Sequence, residues 1–250
     1  MYKFIEKPNL PENDVDMAAI SASAGEAIKR LNALSIKTIQ IKPCENLPDG
    51  LNEHADLQLL HMGKNKFLTP SGCEHLYDKL VEKEFTIKMV NKLGKEYPLD
   101  VPLNAKIVGR FIICNTRTIS KTVLMEAEIM NLTVIDTKQG YSGCSVCVLN
   151  ENAIITDDKN IFTAAQIFLN DVTLVEKNSI RLKNYNYGFI GGCCGKISKN
   201  KIAFNGSLMS HRDCNKIADA LNRNGINGYE LHSGVLEDIG GIIPLTEKTV

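Results

Sequence analysis

The sequence contains no tryptophan and no long hydrophobic segment, and its formal net charge at pH 7 is zero. These features exclude some classes of protein. Since positive and negative side chains balance at pH 7, nothing favours nucleic-acid binding, which usually needs a basic face. No stretch approaches the run of about eighteen apolar residues that spans a bilayer, and residues 1–14 lack the apolar core of a signal peptide. We therefore predict a cytoplasmic protein that binds neither nucleic acid nor membrane.

The eight cysteines also lack the two C-x-x-C pairs of a structural zinc site, because only Cys144 and Cys147 have that spacing. In a cytoplasmic protein they are expected to be free thiols rather than disulfides. His54 and His61 are an odd number of residues apart, which puts them on opposite faces of a strand, so they are not expected to share an ion. We predict no metal and no cofactor.

What the sequence does contain is a repeated unit of strand, strand, helix and strand, which recurs at roughly 45 residues. The order is clearest in residues 140–176, where two apolar runs flank an Asn-Glu-Asn turn and a helical segment follows. Three more copies fall at approximately 54–91, 104–137 and 188–232. The fifth copy is split between the two chain ends, with a first strand in residues 234–250 and the remaining pieces in residues 1–42.

A composition with 44% hydrophobic and 23% charged residues is sufficient to build a substantial core. We predict one α/β domain over residues 1–250, a ring of five units in which the two chain ends meet and hide otherwise open edge strands. In the split unit, the segment Val15–Leu34 is predicted to be helical and Ile36–Ile41 to be a strand.

This order resembles the pentein, or guanidine-modifying-enzyme, fold of dimethylarginine dimethylaminohydrolase, agmatine and arginine deiminases, and the amidinotransferases. Residues 36–70 resemble the dimethylaminohydrolase in sequence, and the phrases QGYSGCS, YGFIGG and DIGGIIPL resemble uncharacterised bacterial proteins of this fold. The resemblance implies a five-fold pseudosymmetric α/β propeller, closed by the N- and C-terminal segments. It also implies that the first strand of each unit lines a central funnel.

In the enzymes of this fold, a cysteine in the final strand attacks a guanidinium carbon, a histidine in the third unit transfers protons, and acidic residues hold the substrate. The resemblance places Asp56 at the substrate-binding aspartate of the first unit. Tyr141 stands where the histidine is needed, and in the last unit Ile243 and Pro244 replace the His-Cys pair. Because proline has neither a nucleophile nor a backbone N–H, amidinohydrolase or amidinotransferase chemistry at that position is not expected.

Five residues are left as candidates for a site. Cys144 is expected on the first strand of the third unit, with Tyr141 beside it as an acid or hydrogen-bond donor. Asp56 and Asp238 are expected on two axial strands, where they could hold a cationic group, and Arg110 could hold a ligand carboxylate. The structural alternatives are a core position for Cys144, ion pairs or turn caps for the aspartates, and a solvent-exposed Arg110.

Two other segments are predicted to have structural roles. Ser210 is placed as the N-cap of a helix, with His211 on the surface of its first turn. The glycines of residues 188–195 do not fit a dinucleotide-binding fingerprint, because a strand follows them instead of a helix. They are expected to let strands approach closely at the centre of the ring.

These features favour a protein that binds a small guanidino, amidino or amino-acid-like ligand in the funnel. One alternative is a non-catalytic module that acts through its outer surface, as the ribosome anti-association factors of this fold do. Another is a thiol enzyme with Cys144 as a relocated nucleophile. Ligand identity, turnover and oligomeric state remain open at this point.

Overall fold

The computed structural model describes residues 1–249, apart from the side chains of residues 74 and 75. In chain order, its strands are β1 (Tyr2–Phe4), β2 (Val15–Ser21), β3 (Lys37–Ile41), β4 (Leu60–His61), β5 (Lys66–Pro70), β6 (Thr86–Val90), β7 (Lys106–Val108), β8 (Phe111–Cys114), β9 (Thr133–Asp136), β10 (Val146–Asn150), β11 (Ala153–Thr156), β12 (Asp171–Leu174), β13 (Cys194–Ser198), β14 (Lys201–Phe204), β15 (Asn227–Glu230) and β16 (Ile243–Lys248). Its α-helices are α1 (Gly25–Ala33), α2 (Ala55–Gln58), α3 (Glu74–Val81), α4 (Lys121–Ile129), α5 (Lys159–Ala165) and α6 (Cys214–Arg223).

The described strands form five sheets, and each sheet corresponds to one of the predicted repeat units. In every unit the first strand pairs antiparallel with the second, and the second pairs parallel with the third through a helix, as in β10, β11 and β12. The second strand is the central one. Its residues are buried on both faces, which explains the continuous apolar runs at Phe111–Cys114 and Ala153–Thr156.

The fifth sheet joins the two ends of the chain. Strand β16 pairs antiparallel with both β1 and β2, and β2 pairs parallel with β3. Strands from the two chain ends therefore share one sheet. Among the first strands of the units, β13 contacts both β10 and β16, and β10 contacts β7. The five sheets fit a five-fold pseudosymmetry.

The apolar cores lie between neighbouring units. One cluster combines Leu149 and Ile155 of the third unit with Phe204 and Leu221 of the fourth. Burying an aliphatic or aromatic side chain of this size contributes about 1.5–3 kcal/mol, so these contacts tie adjacent units together. In residues 1–249, no helix is long and apolar enough to cross a membrane, and the longest, α6, has only 10 residues.

The predicted helix over Val15–Leu34 is wrong in its first third. Residues Val15–Ser21 form β2, and all seven are buried between β16 and β3. A short continuous apolar run suits a strand that is covered on both sides as well as it suits a buried helix. The amphipathic helix α1 begins only at Gly25.

The first strands of three units begin later than predicted, and the residues before them bend into turns. Asp56 lies in the short helix α2, Cys144 lies in a turn two residues before β10, and Asp238 lies in the irregular segment before β16. None of the three is on a strand. They lie instead in the segments that lead into the first strand of each of these units.

The prediction for His211 is also wrong. The side chain is buried, and its Nδ1 accepts a hydrogen bond of 3.0 Å from the backbone N–H of Asp213. Helix α6 begins at Cys214, so Ser210 is not its N-cap. The Ser210 hydroxyl instead bonds to the carbonyl of Ser207 within a preceding short helical turn.

Candidate functional site

Four polar side chains from distant segments converge at one buried point, and we call them the polar cluster: His54, Asp56, Cys144 and Asp238. Each is at most 5% exposed. The Nδ1 atom of His54 lies 3.7 Å from Asp238 Oδ1 and 4.0 Å from Asp56 Oδ1. One ligating atom each of His54, Asp56 and Cys144 lies within 4.8 Å of the others.

The turn Asp238–Gly240 brings two of these segments together. Asp238 Oδ1 accepts a hydrogen bond of 2.9 Å from the backbone N–H of Gly240, whose carbonyl accepts one of 3.1 Å from the N–H of Asp56. Gly240 has a φ of +75°, and a Cβ atom there would lie 2.4 Å from the Cα of His54. Both the conformation and the close approach therefore require glycine.

Asn104 fixes Cys144 relative to Asp56. Its side-chain amide donates to the carbonyl of Asp56 and to Cys144 Sγ, each at 3.2 Å. Its Oδ1 accepts from the backbone N–H groups of Gly143 and Cys144, at 2.7 and 3.2 Å. Sequence reasoning missed Asn104, and no local signal marks it, since its partners are distant in the chain.

Burial dominates the electrostatics of the polar cluster. It raises the pKa of Asp56, raises the pKa of Asp238 to about 6, and lowers the pKa of His54, whose imidazole is therefore neutral at pH 7. Burial also raises the pKa of the Cys144 thiol well above its usual value, and the neighbouring Asp56 and Asp238 raise it further. The cluster thus disfavours the ionised forms of both carboxyl groups and of the thiol.

Some polar atoms of the cluster have no protein partner. In residues 1–249, His54 Nδ1 and both carboxylate oxygens of Asp56 are buried without a hydrogen bond. No lysine or arginine among the described side chains lies within 4 Å of Asp56 or Asp238 to form an ion pair, although Lys106 lowers the pKa of both carboxyl groups at longer range. Unpartnered buried polar atoms are costly, and such atoms are usually satisfied by ordered water, an ion or a ligand.

A cavity of about 270 Å³ opens onto the cluster. His54, Cys144 and Asp238 line it together with four aromatic side chains: Tyr141, Tyr185, Tyr187 and Phe189. The ring of Phe189 stacks on Tyr141 at 5.9 Å and meets Tyr187 edge-on at 5.7 Å. A larger recess of about 810 Å³ reaches His54 and Asp238 from the side of α1. The polar cluster is therefore accessible from two directions.

The structure brings three of the five predicted site residues together, namely Asp56, Cys144 and Asp238. Tyr141 lines the cavity, but its hydroxyl donates a short hydrogen bond to Asp100 and not to Cys144. Arg110 lies apart, exposed in the turn between β7 and β8, with its guanidinium 5.1 Å from the centre of the Phe111 ring.

His54 is the main residue of the cluster that sequence reasoning missed, because it was considered only as a possible partner of His61. His61 lies in β4 and stacks on Phe67 instead. The aromatic lining of the cavity could have been found from the sequence, because aromatic residues alternate at Tyr185, Tyr187 and Phe189. Among the described residues the eight cysteines form no disulfide, and Cys193 and Cys194 are buried in an apolar cluster.

Solved structures identify the class of fold. Inosamine-phosphate amidinotransferase from Streptomyces griseus matches with a TM-score of 0.59 over 98% of both chains at 10% identity. Agmatine deiminase from C. jejuni matches with a TM-score of 0.56 at 9% identity, over 92% of this chain and 91% of its own. Dimethylarginine dimethylaminohydrolase from Pseudomonas aeruginosa, in complex with citrulline, gives 0.55 at 11% identity, over 95% of this chain and 100% of its own. The protein therefore has the fold of the guanidine-modifying enzymes, as the resemblance implies.

Sequence comparison then gives the family. Residues 19–243 match DUF6873, a family of unknown function, and the chain belongs to that family. The match extends from β2 to the start of β16 and includes the whole polar cluster. None of the curated proteins matches the chain.

Proposed function

We propose that the protein binds a small organic cation, of the guanidino, amidino or amino-acid-like class, in the aromatic-lined cavity above the polar cluster. The observation that carries this proposal is the buried carboxyl group of Asp56, whose two oxygens have no partner at normal hydrogen-bond distance among the described residues. A cation that donates hydrogen bonds to these oxygens would remove the cost of an isolated buried carboxylate. Asp238, the second carboxyl group of the polar cluster, lines the cavity itself, whereas Asp56 is reached through the cluster beside His54.

The lining of the cavity suits such a ligand. A guanidinium group is planar and presents N–H donors in a fork that matches a carboxylate. The faces of Tyr141, Tyr187 and Phe189 attract a cation through their ring quadrupoles. A module that acts only through its outer surface would have no need of a cavity with a polar floor, so this feature supports ligand binding.

We extend the proposal to the architecture around the site. The five sheets are inferred to close into one α/β propeller, with the first strands of the units around its axis and the cavity at one end of that axis. The shared sheet of β1, β16 and β2 and the contacts of β13 with β10 and β16 support this arrangement.

A thermal-shift series with arginine, agmatine, citrulline and methylated arginines tests the binding proposal. A ligand at a hundred times its dissociation constant should add about 2.7 kcal/mol of stability, or roughly 5–10 °C in Tm for a chain of this size. Asp56→Asn should weaken binding by roughly 10- to 100-fold, because one charge-assisted contact is lost.

Asp16→Asn is the matched control, since Asp16 is a buried aspartate of β2 that pairs with Lys37 and lies outside the polar cluster. Its ligand response should equal that of the wild type. No stabilisation by any of these compounds, or equal responses from the Asp56 and Asp16 variants, would count against the proposal.

The geometry also favours one alternative, a thiol enzyme in which Cys144 is the nucleophile with His54 and Asp56 beside it. However, burial and two aspartates raise the pKa of the Cys144 thiol, and the hydrogen bond from Asn104 lowers it by less. We therefore expect iodoacetamide below neutral pH to label Cys144 no faster than the other buried thiols, as followed by peptide mass spectrometry. Rapid and selective labelling of Cys144 would instead support the enzyme.

A further inference from the structure

We propose that the polar cluster is also a binding site for one divalent transition-metal ion of the zinc class, held by His54 Nδ1, a carboxylate oxygen of Asp56 and Cys144 Sγ. This inference does not depend on the organic cation proposed above. The sequence predicts no metal site because the cysteines lack a second C-x-x-C pair. These three ligands come from two segments about ninety residues apart, and spacing rules read only local patterns.

The donor set and its dimensions suit such an ion. Imidazole nitrogen, carboxylate oxygen and thiolate sulfur are the ligands that Zn²⁺ takes in proteins, at about 2.0–2.3 Å. In a tetrahedral site these bond lengths put neighbouring ligand atoms roughly 3.3–3.8 Å apart. The three atoms of the cluster already lie within 4.8 Å of one another, so side-chain adjustments of about an ångström complete the geometry.

The ligand atoms are also available. His54 Nδ1 and both oxygens of Asp56 are buried and have no partner at normal hydrogen-bond distance within residues 1–249. The weaker contact between the Cys144 thiol and Asp56 is lost when the thiol gives up its proton to bind an ion. Cys144 Sγ has a partner in the side-chain amide of Asn104 at 3.2 Å. An N–H donor to a metal-bound thiolate is an outer contact of the kind that orients ligands and tunes metal affinity.

The charges favour a divalent ion as well. Asp56 and a Cys144 thiolate supply two negative charges, and Asp238, whose pKa is about 6, adds a third above that pH, so a divalent ion lowers the net charge of the buried site. Three protein ligands leave a fourth position open, as in catalytic rather than structural zinc sites. His54 and Cys144 both line the cavity, so this position is accessible to its occupant. The ion and an organic cation would both need Asp56 and should therefore compete.

Titration of the reduced, chelator-stripped full-length protein with Co²⁺ tests the site, because cobalt replaces zinc and reports thiolate ligation by a charge-transfer band in the near ultraviolet. We expect one equivalent of Co²⁺ to give this band and Zn²⁺ to displace it. Cys144→Ser should abolish the band, and Asp56→Asn should weaken binding more than 100-fold. Asn104→Ala should weaken it about 10- to 100-fold, as expected for an outer-shell partner.

Cys114→Ser is the matched control, because Cys114 is a fully buried thiol in the apolar core between the units of residues 54–91 and 104–137. It should bind Co²⁺ like the wild type. Absence of the band in folded wild-type protein, or its persistence in Cys144→Ser, would overturn the proposal. Should Cys144→Ser not fold, as judged by circular dichroism, the Asp56→Asn variant decides the question by its affinity alone.

The organic-ligand proposal is separable from this one. Thermal shifts with guanidino compounds are measured on the chelator-stripped protein, and Co²⁺ binding is measured without them. A Co²⁺ band without any guanidino response supports the metal site only, and a guanidino response without the band overturns the metal site only.

Discussion

Replacing Gly195 with alanine is expected to reduce the free energy of unfolding by about 3 kcal/mol or more. Gly195 lies in β13, where an added Cβ would stand 1.9 Å from the carbonyl oxygen of Ile242 and 2.7 Å from its Cβ. The neighbouring strand segment cannot withdraw easily, because the N–H of Ile242 bonds to the carbonyl of Cys194 at 3.1 Å. The clash is between backbone atoms, so no side-chain rotation relieves it.

Gly25→Ala is the control for this experiment. Gly25 is the first residue of α1, and an added Cβ there meets no atom within 4 Å. This substitution should leave stability unchanged or raise it by up to about 1 kcal/mol, because alanine restricts the unfolded chain and favours helix. Urea unfolding followed by circular dichroism measures both variants. A Gly195 variant within about 1 kcal/mol of wild type would show that the strands at this point are not tightly packed.

The repeat order could be predicted from the sequence because each unit combines two apolar runs, a helical segment and a final strand. The helices α3 (Glu74–Val81) and α4 (Lys121–Ile129) each follow the two apolar runs of their unit, as this order predicts. The crowding around the glycines of residues 188–195 was likewise predictable. A Cβ on Gly191 would lie 2.4 Å from the carbonyl of Val146 in the neighbouring unit.

The polar cluster could be predicted only in part. Asp56, Cys144 and Asp238 were identified through the resemblance, but they were placed on strands. The short helix and the irregular segments that carry them lie among apolar residues and contain no strong turn signal. His54 was missed because it was considered only together with His61, and because one of its partners, Asp238, lies in the distant fifth unit. Asn104 was missed because an asparagine acquires four such contacts only when the segments are already folded together.

Acid should destabilise the protein through His61 by about 3 kcal/mol between pH 7 and pH 4. The side chain is buried, it stacks on Phe67 at 4.5 Å, and its Nε2 hydrogen-bonds to the carbonyl of Lys64 at 3.0 Å. Nδ1 is buried without a partner among the described residues, so a second proton would have no acceptor. Burial therefore lowers the pKa of His61 to about 4.

The sign of the effect follows from proton counting. In the unfolded chain a histidine has a pKa of about 6.5, so below this pH the unfolded state binds a proton that the folded state does not. The contribution of His61 to stability is complete above about pH 6.5 and is lost as the pH falls towards 4. Each unit of difference in pKa corresponds to about 1.4 kcal/mol.

His61→Phe isolates this contribution, because phenylalanine keeps the stacking on Phe67 and cannot titrate. At pH 7 the variant should lose about 1 kcal/mol with the hydrogen bond to Lys64. At pH 4 it should be the more stable protein, because only the wild type has then lost the contribution of a neutral His61. Urea unfolding of both proteins at several pH values gives their difference in stability, in which the titration of all other groups cancels. A difference that stays constant from pH 7 to pH 4 would mean that His61 accepts its proton in the folded state, and that β4 opens to water more readily than its burial suggests.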